Sequence, residues 1–313
     1  MIVDLLPTED QRMIEESIVG LLSARLPVER LREPQSHGGA AERAIWRDLS
    51  ELGLFAMGVS EEQGGLGLGL PEEVLAAKAM GRFLASPALL AQMAAAHLTT
   101  DDALRADFLS GESRAALANE MHALDVEGTD WLVAAVSGKV ALTARERGSE
   151  KPVESIDETL SLMRTSANGP FAADGAHVSL LIAAYLTGLA QAVLSLAVDY
   201  AQTREQFGQP IGAFQAIKHQ CADMALRAAA AEAQLFHVAA TFAHVPNGHA
   251  EVAAARLLAV EAALANARQC IQIHGGMGFT AECDAHLFLK RAQVLARLGS
   301  DRTSERHHLL ASA

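Results

Sequence analysis

The chain has 313 residues, half of them hydrophobic, and a formal net charge of −13. That length and composition support a sizeable core and room for more than one domain. The acidic balance and a 4% aromatic content exclude a generic nucleic-acid binder, which needs a basic face and stacking rings.

The N-terminus, MIVDLLPTEDQRMIEES, has no basic stretch followed by an apolar one, so no signal peptide is expected. Thr8 and Gln11 form a capping box ahead of the amphipathic run MIEESIVGLLSARL. A second helix is expected over 41–54, ending near Gly53. A third runs over 71–84, opened by proline and two glutamates, and a fourth, alanine-rich, over 86–99. Between the second and third, GGLGLGL (64–70) lacks a surrounding βαβ unit and reads as a loop needing left-handed glycines.

Near Leu117 the pattern changes. HALDVEGTDWLVAAVSGKVALTARERG alternates in short runs, with a hairpin turn expected at Ser137-Gly138 and a boundary at Asn168-Gly169-Pro170. Helices are then expected over 178–206, 214–244, 247–274 and 284–298, joined as an antiparallel bundle. The stretch 178–201 is long enough to span a membrane, but its Gly, Gln, Ser and Thr favour a buried helix, and no span is expected. The fold class is therefore mainly α with a small β segment. The domains are 1–114 (helical), 115–172 (reduced β) and 173–313 (four-helix bundle).

Cys221, Cys270 and Cys283 form no CxxC pair, so they read as small buried hydrophobes in a reduced, cytoplasmic setting. The twelve histidines include no HxxxH or HxH set, so no metal is expected.

Two corners carry chemistry. TREQFGQPIGAFQ (203–215) interrupts two long helices and gathers Arg204, Gln206, Phe207 and Gln215 around glycines and a proline. An arginine there suits a phosphate and Phe207 a flat ring; equally, the stretch reads as a helix–helix corner with Phe207 in the core. QIHGGMGF (272–279) is a second corner, whose glycines permit close backbone approach or simply a helix C-cap.

Taken with SEEQGGLGLG, YAQTREQFGQPIGAFQAIKHQCADMA and IQIHGGMGFTAE, in this order, the chain resembles the acyl-CoA dehydrogenase family over nearly its whole length. The resemblance implies FAD lying between subunits, with Arg204 on its pyrophosphate, Phe207 packed on it, and Gln206 and Gln215 close by. Gln272, Gly275 and Gly276 would hold the FAD of a neighbouring subunit. It also implies an acyl-CoA substrate, an electron-transfer flavoprotein as acceptor, and a homo- or hetero-oligomer.

The family's base is a glutamate that removes the α-proton of the thioester while a β-hydride passes to flavin N5. Its usual position falls at or near Gly299, whose backbone N–H would instead polarise the thioester carbonyl. Members resembling isovaleryl-CoA dehydrogenase carry the base fourteen residues before the double glycine, and that count from Gly275 reaches Glu261. Leu257, Leu258, Leu264 and Ala265 share its helical face, so an acid enclosed by apolar side chains is expected.

Three departures stand out. The β segment is about half the length the resemblance implies, with Trp131 either a remnant of the flavin cover or a core residue. The usual arginine-aspartate pair reads Lys290-Arg291, and the closing loop, around Asp301-Arg302, is out of register. These features resemble shortened bacterial members that work as unequal pairs on bulky substrates such as sterol side chains. The competing readings are a non-catalytic subunit that shares an FAD site and a flavin-free acyl-CoA or lipid-binding bundle.

Overall fold

Thr8 opens the first helix as the sequence announces. Its hydroxyl accepts from the Gln11 amide at 3.2 Å, and the Gln11 side-chain oxygen accepts from the Thr8 amide at 2.9 Å. The computed structural model describes residues 6–148, 150–165, 171–244, 248–299 and 302–311. Helix α1 (Glu9–Arg25) is followed by α2 (Ala40–Ala44), α3 (Trp46–Glu51), α4 (Leu70–Arg82), α5 (Ala88–Leu98) and α6 (Asp102–Ser110).

The single helix expected over 41–54 is broken at Ile45 (φ −110°, ψ 14°). Ile45 and Trp46 are both buried. Consecutive residues on a regular helix point about 100° apart, so the break lets both reach the core. Helix α6 was not anticipated, although Asp101 caps it by accepting from the amides of Ala103 and Leu104.

The middle segment forms one seven-stranded sheet: β1 (Ala115–Ala118), β2 (His122–Leu124), β3 (Trp131–Val136), β4 (Lys139–Ala144), β5 (Lys151–Val153), β6 (Leu162–Arg164) and β7 (Ala173–Asp174). The spatial order is β5-β6-β2-β1-β3-β4-β7, antiparallel except for the β1–β3 pair. Ser137 and Gly138 make the expected hairpin turn, both with left-handed φ, and join Val136 to its partner Lys139. Alternate residues face opposite ways. Ala115, Leu117 and Val133 join the main core, while Ala116, Ala118 and Leu132 build a small second cluster under Met163 and Phe171. Trp131 packs edge-on against Phe108, 6.1 Å between ring centres, which favours its core role. The boundary expected at Asn168–Pro170 lies outside the described residues.

The C-terminal part holds α7 (Ala176–Thr203), a small hairpin of β8 (Glu205–Gln206) and β9 (Gln209–Pro210), α8 (Gln215–Thr241), α9 (His249–His274), α10 (Ala285–Leu295) and α11 (Arg302–Ala311). Helices α7 to α10 pack as the bundle, and α4 crosses α7. At the crossing a Cβ on Gly188 would lie 1.8 Å from the Lys78 carbonyl oxygen, and one on Gly81 1.9 Å from that of Tyr185. Only glycine permits this approach, so the N-terminal helices and the bundle share one core. Among the described residues α7 is the helix long and apolar enough to cross a membrane, and 67% of its most apolar window is buried inside the protein.

The Lys290-Arg291 departure has its complement in the chain. Arg291 is buried and its Nε donates to Asp157 at 2.6 Å; Lys290 reaches Glu158 at 2.6 Å. Arg291 also donates to the carbonyls of Leu84 and Ala85, to the Tyr185 hydroxyl and to the Thr159 hydroxyl. Burial alone would lower its pKa, but Tyr185 and Asp157 raise it. Burial pushes Tyr185 itself up to about 12.

Asp125, fully enclosed, accepts from the Ser86 hydroxyl at 2.6 Å and the Ser161 amide at 2.8 Å. Burial still raises its pKa from 3.8 to about 6, against the opposing hydrogen bond from Ser86.

Two outcomes follow. Arg291→Met leaves Asp157 buried without its partner and lowers the unfolding free energy by about 3–5 kcal/mol, whereas Lys290→Met, at a part-exposed pair, costs less than about 1 kcal/mol. Urea titrations of the two variants check this. For Asp125, the folded chain holds a proton that the unfolded chain releases. Its stabilising contribution is therefore full below pH 3.8 and is lost as pH rises through about 6. Stability measured across that window shows this slope in the parent and not in Asp125→Asn.

Candidate active site

Tyr200 and His274 bring the two glycine-rich corners to the same end of the bundle. Their rings stack 4.1 Å apart with 20° between planes, and His274 Nδ1 lies 2.8 Å from the Cys270 carbonyl. Tyr200 sits in the last turn of α7 and His274 ends α9, so both corners leave the core side by side.

Beyond Tyr200 the chain turns outward. Residues 202–210 are all exposed. Phe207 is 92% exposed, has a left-handed φ of 53°, and touches Phe214 edge-on at 6.2 Å. The alternative that placed Phe207 in the core is therefore excluded. Arg204, Gln206 and Gln215 are exposed on the same corner. On the second corner Gln272, Gly275 and Gly276 are exposed, beside Met277 and a 79% exposed Phe279. Gly275 needs its glycine for a φ of 59°, and a Cβ on either Gly275 or Gly276 would meet nothing within 4 Å. The open side of the double glycine thus faces away from its own chain.

These residue types fit a dinucleotide such as FAD. An arginine, an exposed aromatic ring, three glutamine amides and an uncovered glycine backbone supply charge, stacking and close approach for a dinucleotide. Within one chain they form a surface and no enclosure.

Glu261 departs from its expectation. It is exposed and belongs to a stripe on α9 made by Leu258, Glu261, Arg268 and Gln272, spaced three, seven and four residues apart. The bundle buries the other faces of α9 through small residues such as Ala255, Ala259, Ala262 and Ala263, so Leu258 is left 40% exposed beside the acid. The apolar enclosure argued from its leucine neighbours does not exist within the chain. Glu261 does share its face with Gln272, about 16 Å further along the helix.

Gly299 lies elsewhere, against the sheet. Its φ is 81°, its carbonyl accepts from the Gly138 amide at 3.3 Å, and a Cβ would sit 3.4 Å from that of Ala135. The left-handed φ accounts for glycine here. Gly299 lines a cleft with Asn119, Met121, Ser137 and Arg297, and a neighbouring cleft shares Asn119 and Arg297. Glu261 lines neither, although Arg256, five residues earlier on α9, donates to the Leu298 carbonyl beside Gly299. Sequence reasoning missed Asn119 and Arg297: one follows β1 and the other follows α10, so no local spacing links them to one cleft. Asp301 lies outside the described residues.

Phe207 supplies a test of this geometry. Phe207→Gly removes an exposed ring and relieves a left-handed φ, so the unfolding free energy changes by less than about 1 kcal/mol. A larger loss, measured by urea titration, would mean that the ring packs within its own chain.

The descriptions "Acyl-CoA dehydrogenase, N-terminal domain" and "Acyl-CoA dehydrogenase, C-terminal domain" match residues 8–111 and 176–301. Between them lie residues 112–175, which hold the sheet. Acyl-CoA dehydrogenase IpdE2 of Mycobacterium tuberculosis is 35% identical over 306 residues, covering 93% of each chain. FadE34 of the same organism is 33% identical over 305 residues, covering 87% of this chain and 43% of its own. Among solved structures, the ChsE4-ChsE5 complex from Mycobacterium tuberculosis superimposes with a TM-score of 0.84 at 21% identity over 99% of each chain. Butyryl-CoA dehydrogenase from Megasphaera elsdenii does so with a TM-score of 0.82 at 17% identity, again over 99% of each. The solved structures share the fold, and the matched domains and relatives decide the family: the chain belongs to the acyl-CoA dehydrogenases, oxidoreductases acting on acyl-CoA.

Proposed function

We propose that this chain catalyses FAD-dependent α,β-dehydrogenation of an acyl-CoA thioester to a trans-2-enoyl-CoA, at a site completed by a second acyl-CoA dehydrogenase chain. The observation that carries the reading is the outward face of the bundle end. All seven residues expected at the cofactor, and Glu261 as well, are exposed on one chain. A set of charged, amide and aromatic groups in solvent gains its chemistry when a partner surface excludes water from it.

In this reading Arg204 pairs with the pyrophosphate and Phe207 covers a flat ring. Gln206 and Gln215 donate amide hydrogen bonds from the same corner. Gln272, Gly275 and Gly276 receive the cofactor of the neighbouring chain. FAD, when bound, supplies the acceptor for the β-hydride. Glu261 takes the α-proton, and the Gly299 N–H steadies the charge that develops on the thioester oxygen. Electron-transfer flavoprotein would reoxidise the enzyme. The three cysteines, all free, support a reduced cytoplasmic setting.

A second reading has a specific observation in its favour. Glu261 does not line the Gly299 cleft, which suits a subunit that lends its cofactor face to a partner carrying the base. Its assembly would resemble the ChsE4-ChsE5 complex in kind. Glu261→Gln separates the two. With the protein co-expressed beside related chains and supplied with acyl-CoA, the first reading expects turnover to fall by about 10²–10⁴-fold with bound flavin retained. Unchanged turnover removes Glu261 as the base.

A further inference from the structure

Away from that surface, three helices converge on one carboxylate. Glu73 stands in the first turn of α4, His97 in the last turn of α5 and His177 in the first turn of α7. His97 Nε2 lies 3.0 Å from Glu73 Oε1, and His177 Nε2 lies 2.7 Å from Oε2. The two rings are 4.5 Å apart between centres. The carboxylate is buried, in space that a side chain at residue 58 would fill: a Cβ on Gly58 would come within 2.2 Å of Glu73 Cδ. The imidazoles are 29% and 21% exposed, so the cluster opens to solvent on their side.

We propose that Glu73, His97 and His177 form a binding site for a divalent first-row transition ion of the zinc class, which pins the start of α7 and the end of α5 to α4. One ligand atom from each residue lies within 4.8 Å of the other two. A tetrahedral ion with bonds of about 2.0–2.1 Å holds its ligands about 3.3 Å apart, so binding draws the three ligand atoms, now within 4.8 Å of one another, to about that separation. Two imidazole nitrogens and one carboxylate oxygen form a borderline donor set. It suits zinc, cobalt or copper, and neither magnesium nor calcium, which prefer oxygen alone. The partly exposed side leaves room for water to complete the coordination.

Charge favours the ion as well. Glu73 pairs with no lysine or arginine among the described residues; its ion-pair partners are the two histidines. Ligation requires each ring to give up its Nε2 proton and carry one on Nδ1, and neither Nδ1 has a protein partner among the described residues that would oppose the change. No local spacing announces the site, because each ligand comes from a different helix.

The test uses the full chain without an affinity tag, freed of metal with a chelator and titrated with Co²⁺ and then Zn²⁺. The expected result is one ion per chain, with the visible Co²⁺ absorption of a low-symmetry site, displaced by Zn²⁺, and a higher melting temperature with Zn²⁺. His177→Gln and His97→Gln each weaken uptake at least about tenfold; the latter replaces the more exposed ring and keeps the test open if the former folds poorly. Failure of the parent chain to take up stoichiometric Zn²⁺ would overturn the site. So would uptake that survives both replacements, which would put the ion on other histidines.

Discussion

The buried guanidinium of Arg291 fixes the short sheet segment to the helical bundle. Its Nε meets Asp157 on the segment between β5 and β6, while its other nitrogens meet Tyr185 on α7, the turn before α5, and Thr159. Three parts of the chain converge on one planar group whose forked donors no lysine could reproduce. The neighbouring Lys290 and Glu158 pair in the same sense closer to solvent. Two bases on α10 face two acids on the 157–158 turn, so the charge pattern that looks anomalous along the sequence is balanced in space. The position of β6 and of the cleft holding Asn119 and Arg297 depends on this joint.

The bundle itself is built from small residues. Gly81 and Gly188 let α4 and α7 touch backbone to backbone, and alanines line the buried faces of α9. Close packing of this kind brings the helix backbones into contact along the core. Arg204, Phe207, Gln272 and the double glycine stand in solvent at the bundle end.

Much of the architecture is legible along the chain. Thr8 and Gln11 mark the first helix start, Ser137-Gly138 marks the hairpin, and the two glycine corners mark exposed turns at one end of the bundle. Other features are not, for stated reasons. Alanine occupies every face of α9, so the leucines around Glu261 do not reveal which face meets the core, and the acid is exposed where enclosure was expected. The pairing of β1 with β3, the meeting of Asp157 with Arg291 across 134 positions, and the Glu73 cluster are long-range contacts with no local periodicity. Ile45 and Trp46, both buried, end a helix that periodicity alone continues.

The central claim is that the cofactor site closes only between chains. Sedimentation of the purified protein, followed at the visible absorbance of flavin, tests it most directly, with the chain alone and co-expressed beside related chains. The account predicts flavin migrating with species of two or more chains and colourless monomer. A monomer carrying one FAD per chain would contradict it.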